Sequence, residues 1–197
     1  MVSLSKNQTI SLSKQAPALN HLMFGLGWDP VQVKKKGFLS GLFGGGNSID
    51  LDASCILPDA QGKQIDVVSF RKLKSSCNSV IHSGDNLTGE GDGDDETIFV
   101  ELNKLPANTE YLAFTVNSFR GQTFNEVENA FCRVVDHATK KELANYKLTE
   151  QGSHTGIIIA SLRRNNGQWD FTAHGSPSTG RTIQDMQSDI VNVVVRP

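Results

Sequence analysis

The chain has 197 residues, 38% of them apolar and 20% charged, with a formal net charge of −2. That length suits one large domain, and that balance excludes a wholly disordered chain. No stretch approaches the roughly 18 apolar residues of a membrane span, and Met1–Lys6 lacks the basic and apolar regions of a secretory signal. Three widely spaced cysteines, Cys55, Cys77 and Cys132, argue against a disulfide scaffold and for a reducing cytoplasm. The charge is uneven: residues 1–46 carry +4, residues 47–102 carry −7 and residues 103–197 carry +1. The middle third therefore bears the functional argument.

Along the chain, Val2-Ser-Leu-Ser-Lys6 and Ile10-Ser-Leu-Ser-Lys14 are near copies that alternate apolar and polar residues, which predicts a hairpin or two short strands. An apolar run follows from His21 to Trp28. From Ile49 to Leu57 the alternation is unbroken: Ile49, Leu51, Ala53, Cys55 and Leu57 point one way, Asp50, Asp52 and Ser54 the other. Further strands are predicted over 65–70, 79–83, 97–102, 110–117, 131–136, 142–148, 156–163 and 168–173, rich in Ile, Val, Phe, Thr and Tyr. Arg163-Arg164 beside Asn165-Asn-Gly167 reads as a solvated hairpin turn. Two helices are expected, a short one near Phe124–Asn129 and another after Arg181, capped by Thr182 with Asp185 three residues on. In the second, Ile183, Met186, Ile190, Val191 and Val194 fall on one face suited to core packing. Short strands between Gly, Asn, Asp and Pro turns, without long crossover helices, predict an all-β, antiparallel two-sheet sandwich over residues 1–197 with one or two short helices.

The most informative segment is Gly84-Asp-Asn-Leu-Thr-Gly-Glu-Gly-Asp-Gly-Asp-Asp-Glu96. It carries six carboxylates, Asp85, Glu90, Asp92, Asp94, Asp95 and Glu96, and no base. Two carboxylates about 5 Å apart at an effective dielectric near 20 repel by roughly 3 kcal/mol, so a compact loop of this kind needs cations. Carboxylates, the Asn86 amide and carbonyls bared by glycine are hard oxygen donors, the ligand set of Ca²⁺. A phosphate cradle would be repelled by the carboxylates. Neither EF-hand register places its ligands and glycine correctly, and zinc spacing of Cys and His is missing. Mg²⁺ keeps more waters and needs fewer carboxylates. Asp50 and Asp52 share one strand face and can converge on one ion, and Asp29, in a turn after Gly27-Trp28, is a further donor. The expected metal set is thus Asp29, Asp50, Asp52, Asp85, Asn86, Glu90, Asp92, Asp94, Asp95 and Glu96. One Ca²⁺ takes 6–8 oxygens, so two ions are expected, held by loops at one end of the sandwich.

The opening Val2–Lys6, Gly25-Leu-Gly-Trp-Asp29, Asp50-Leu-Asp-Ala-Ser54 and the acidic segment together resemble the TerD family of tellurite-resistance and stress-response proteins, most closely its TerZ branch. The resemblance implies a β-sandwich binding Ca²⁺ through loops and a cytoplasmic role in resistance to tellurite and other stresses. It also implies partners among other tellurite-resistance proteins, including a membrane-embedded component. Ser48 stands where many members carry a further Asp.

Residues 31–47 form a basic, glycine-rich insertion in which Lys34, Lys35 and Lys36 precede Phe38, Leu39, Leu42 and Phe43. Such a composition suits an anionic membrane surface or a partner groove, or a loop folded back on the sandwich. Cys55 and Cys132 lie in apolar patterns that suggest buried thiols, and Cys77 is the most exposed by its neighbours. No nucleophile elbow is present, and one lysine run without interleaved aromatics is too little for nucleic acid. The reading is a Ca²⁺-dependent interaction module, not an enzyme. Its alternatives are a metal-dependent enzyme acting on a phosphorylated substrate, with His82 as base, and a scaffold with structural Ca²⁺ that docks to a membrane or membrane protein.

Overall fold

The computed structural model describes residues 1–30, 50–84, 93–118 and 120–197. In chain order the strands are β1 (Val2–Leu4), β2 (Thr9–Ser11), β3 (His21–Pro30), β4 (Asp52–Pro58), β5 (Gln64–Val68) and β6 (Val80–His82). Then follow β7 (Glu96–Glu101), β8 (Tyr111–Asn117), β9 (Val127–Asp136), β10 (Lys141–Lys147), β11 (Gly156–Asn165) and β12 (Gln168–Ser178). Among the described residues there are also two short helices, α1 (Leu12–Gln15) and α2 (Gln187–Ile190), and 3₁₀ turns at Leu102–Lys104 and Phe124–Glu126, with α2 running on into a π-type turn over Val191–Val195. The strands form two six-stranded sheets, ordered β1-β10-β9-β3-β7-β6 and β2-β12-β11-β8-β4-β5. The expected antiparallel two-sheet sandwich is what forms, with one exception, β1 pairing parallel to β10. Among the described residues no helix is long and apolar enough to cross a membrane.

Alternation explains the packing. On β3, Phe24, Leu26 and Trp28 face the space between the sheets; on β8, Leu112, Phe114 and Val116 do so from the other side. Phe24 and Phe114 stack with ring centroids 4.1 Å apart and planes 8° from parallel, one ring from the centre of each sheet. Cys55 and Cys132 are fully buried, as expected, and burial pushes both thiols well above the usual range. Cys77 is half-buried between the hydroxyls of Ser75 (3.3 Å) and Ser79 (2.9 Å).

Of the two readings of the N-terminal near copies, two short strands is the one that forms: β1 joins one sheet and β2 the other, pairing with β12. Other expectations are corrected. The second copy leaves the extended state at Leu12, whose side chain is fully buried, and closes a helical turn through Ala16 N–H to Leu12 O. The helix near Phe124 is a single 3₁₀ turn, Phe124–Glu126, because β9 begins at Val127. Thr182 and Asp185 cap each other reciprocally as expected, at 3.0 and 3.3 Å. They close a turn, though, and α2 itself starts at Gln187. The Asn166-Gly167 turn forms with both residues at positive φ (49° and 77°), joining β11 to β12. Its Arg164 is not simply solvated: it donates to Thr109 O at 3.1 Å and lies 4.8 Å over the Trp169 ring.

The C-terminal turns cover the outer face of the β2–β5 sheet. Ile183, Met186, Ile190 and Val194 pack there on Ile56, Tyr111, Ala113 and Ile158. Beyond that patch the same face turns polar, where Ser161 Oγ and His174 Nε2 meet at 2.8 Å, both nearly buried. Burial holds His174 down at about 4, against an ordinary 6.5. A lowered folded value means that the unfolded chain takes the proton first as pH falls. Stability is therefore expected to be flat above pH 6.5, to fall by about 3 kcal/mol between pH 6.5 and 4 on this account, and to level below. Urea unfolding of wild type and His174→Gln across that range checks it: the variant is expected to lose less stability on acidification.

Candidate metal centre

The described members of the expected metal set lie at one end of the sandwich. β7 begins at Glu96, and its register with β3 ends at Leu26↔Glu96. The preceding residues run on along β3: Asp95 N–H donates to Leu26 O at 2.7 Å, and Trp28 N–H donates to Asp95 Oδ2 at 2.9 Å. Asp29 is not in a turn but within β3, opposite Glu128 beyond a bulge, and accepts from Asn129 Nδ2 at 2.8 Å. Burial, and behind it the charges of Asp29, Glu96 and Asp94, push the Asp95 carboxyl above its ordinary value, against the pull of the Trp28 N–H. Carboxylates from β3 and from the start of β7 thus act on one another.

Asp94 crosses the outer face of the β3 sheet. Its carboxylate takes a two-pronged bond from Arg133 of β9, at 2.8 and 2.9 Å. Arg133 sits opposite Gly25 in the ladder, and a Cβ on Gly25 would collide with the Asp94 carboxyl. A Cβ on Gly27 would meet the Phe131 ring and the Gly93 carbonyl. The two glycines of Gly25-Leu-Gly27 thereby open the strand surface on which the acidic segment lies.

On the opposite sheet Asp50 and Asp52 are both buried, at 7% and 4% exposure. The strand starts only at Asp52, and Asp50 precedes it, paired with Arg120 at 2.9 Å. Ala53, Cys55 and Leu57 face the core between the sheets, so Asp52 and Ser54 lie on the outer face, as the alternation predicts. Glu96, fully buried, joins the two sheets. Its Oε2 accepts from Ala53 N–H at 2.6 Å and stands 3.3 Å from His82 Nε2, which in turn lies 3.2 Å from Ala53 O. β5 pairs with β4 only as far as Cys55, so Glu96 and His82 serve the Ala53 peptide beyond the end of that ladder. His82 is thus engaged structurally.

Asp29, Asp50, Asp52, Asp94, Asp95 and Glu96 are therefore placed at one end, on β3, at the start of β4 and ahead of β7. Asp85, Asn86, Glu90 and Asp92, and the whole Lys34, Lys35, Lys36, Phe38, Leu42 and Phe43 segment, lie outside the described residues. Among the described residues, no three His, Cys, Asp or Glu side chains stand close enough together to hold a metal ion. The described side chains of the expected set are carboxylates, hard oxygen groups of the kind Ca²⁺ takes and zinc sites seldom rest on alone. Sequence reasoning missed Arg133 and Asn129 on β9 and Arg120 in the turn after β8, because lone polar residues carry no local pattern and acquire these partners only when the sheets assemble.

Fold and site define a two-sheet β-sandwich with an acidic cluster at one end. The TerD domain family model matches residues 1–189, and the chain belongs to that family. It is 73% identical over 196 residues to tellurium resistance protein TerZ of Serratia marcescens, covering the full length of both chains. It is 42% identical to stress response protein SCP2 of Bacillus subtilis (strain 168), covering 96% of this chain and 99% of that one. These relatives are named as resistance and stress-response proteins, not as enzymes. The crystal structure of a homologue of telluride resistance protein (TerD) from Streptomyces coelicolor A3(2) has the same fold. It superposes with a TM-score of 0.68 at 21% identity, over 86% of this chain and 96% of that one.

Gly25→Ala tests how the acidic segment is seated. The added methyl must displace Asp94 from Arg133, at an expected cost of about 1–3 kcal/mol and a drop of several degrees in Tm. Calorimetric melting of Gly25→Ala, Arg133→Gln and the double variant checks it, with the double expected to lose less than the sum of the singles.

Proposed function

We propose that this chain is a Ca²⁺-binding protein of tellurium resistance and stress response that acts as a Ca²⁺-dependent interaction module, not as a catalyst. The observation that carries the reading is that carboxylates from three segments lie at one end of the sandwich, where burial and neighbouring charge already raise Asp95. A divalent ion removes that repulsion. Asp29, Asp50, Asp52, Asp94, Asp95 and Glu96, with Asp85, Asn86, Glu90 and Asp92 from the same acidic stretch, supply enough oxygens for two ions of 6–8 ligands each. Bound Ca²⁺ would neutralise the acidic stretch and couple it to β3 and β4, segments far apart in sequence.

The interaction half of the proposal rests on composition. Lys34, Lys35 and Lys36 with Phe38, Leu42 and Phe43 suit a membrane-associated partner or an anionic surface of the cytoplasmic leaflet. Other tellurite-resistance proteins are the partners inferred from the family. Against catalysis stands the engagement of His82, the candidate base, with Glu96 and Ala53.

Calorimetric titration of chelator-treated protein with Ca²⁺, with Mg²⁺ as competitor, tests the reading. The expected result is about two ions bound in the micromolar range, with a stabilisation of about 3 kcal/mol at a hundredfold excess over Kd. Asp52→Asn and Asp95→Asn are each expected to weaken binding at least tenfold. Binding only above millimolar concentrations would overturn it.

A further inference from the structure

The outer face of the β2–β5 sheet carries a cavity toward the other end of the molecule from the acidic residues. A cavity of about 510 Å³ opens there between the sheet and the C-terminal turn. That is the size range of a small-molecule site. Its location follows from register. Asp52, Asn117 and Gly156 mark the acidic end of this sheet, whereas Tyr111 pairs with Arg163 at the far end.

The cavity floor is charged in an unusual way. Leu162 and Phe171 pack in the core, so their neighbours Arg163 and Asp170 face outward into the cavity. The two are direct cross-strand partners. Opposite charges at such positions ordinarily pair with each other. Here they do not: the Arg163 guanidinium turns to the Tyr111 ring, 5.7 Å from its centroid, and Asp170 accepts from Asn165 Nδ2 at 2.9 Å. A cation and an anion therefore line one cavity side by side without pairing with each other.

The other lining side chains carry no charge at neutral pH, and Pro197, the last residue of the chain, also borders the cavity. The Ser161–His174 pair, exposed by only 4% and 7%, supplies donor and acceptor atoms from the floor. Val193 and Val194 of the C-terminal turn form an apolar wall. This pattern selects among ligand classes. An anion such as phosphate would meet one cation and the repulsion of Asp170. A sugar would want a free aromatic face, but Tyr111 is 6% exposed with Arg163 set over it. A molecule bearing both charges satisfies both groups at once.

We propose that this cavity binds a small zwitterion of the α-amino-acid class, its carboxylate on Arg163, its ammonium on Asp170 and its side chain against Val193 and Val194. Bidentate Arg–carboxylate bonding sets the orientation. The site is independent of the Ca²⁺ reading and does not require it.

The test is an NMR titration of the full chain with glycine, L-valine, L-glutamate and L-lysine, followed with N-acetylvaline, valinamide and glucose. At least one amino acid is expected to give saturable shifts confined to amides around Ser161, Arg163, Asp170 and His174. Each singly blocked valine is expected to bind about tenfold more weakly than valine itself. Arg163→Gln is expected to weaken valine and N-acetylvaline about tenfold and leave valinamide unchanged, and Asp170→Asn to show the mirror pattern. The comparison of blocked and free valine on the wild type decides the matter even if a variant fails to fold. No saturable response to any of the four amino acids, equal binding of blocked and free valine, or binding of glucose alone would overturn the proposal.

Discussion

Carboxylates placed at one end of the sandwich, partly buried and within electrostatic reach of one another, are the constraint that the surrounding structure answers. Like charges about 5 Å apart in a partly buried setting cost roughly 3 kcal/mol per pair, so none of these groups is left to chance. Asp94 is clamped by Arg133, Asp50 is paired with Arg120, Asp95 takes the Trp28 N–H and Glu96 the Ala53 N–H. Each of these bonds reaches to a different segment, so the acidic end is also where β3, β4, β7 and β9 are tied together.

The apolar frame makes that arrangement possible. Phe24 and Phe114 stack across the middle of the sandwich and hold β3 over β8. β3 therefore places Gly25 and Gly27 on the outside and Trp28 inside. The acidic segment crosses the strand surface at the glycines, and its last residues bond to the strand's own backbone. Glu96 takes the alternate, inward place at the head of β7 and so meets the other sheet. One strand periodicity thus serves packing and charge placement together.

Much of this was legible in the sequence. Period-two alternation marked nearly every strand, Asn166-Gly167 marked its hairpin, and Thr182 with Asp185 marked a cap, because each depends on residues adjacent in the chain. The acidic stretch advertised itself by charge density. What stayed hidden depends on partners distant in sequence. Nothing local tells that Val2–Leu4 and Thr9–Ser11 join different sheets, or that burial of Leu12 ends the second strand in a helical turn. Arg133 and Arg120 read as ordinary surface cations until register brings Asp94 and Asp50 to them. Asp29 reads as a turn residue beside Pro30, yet the bulge opposite Glu128 keeps it in the strand. The Arg163–Asp170 cavity exists only because β11 and β12 pair in one register and the C-terminal turn roofs their outer face.

The central claim is that the acidic end of the sandwich is a Ca²⁺ centre in which β3, β4 and the stretch before β7 act together. A long-wavelength anomalous difference map from crystals grown with Ca²⁺ tests this most directly. The account predicts two peaks at this end, with carboxylate oxygens of Asp52 and of the acidic stretch about 2.3–2.6 Å away. A map with no peak there, or with Ca²⁺ only at contacts between molecules, would contradict it.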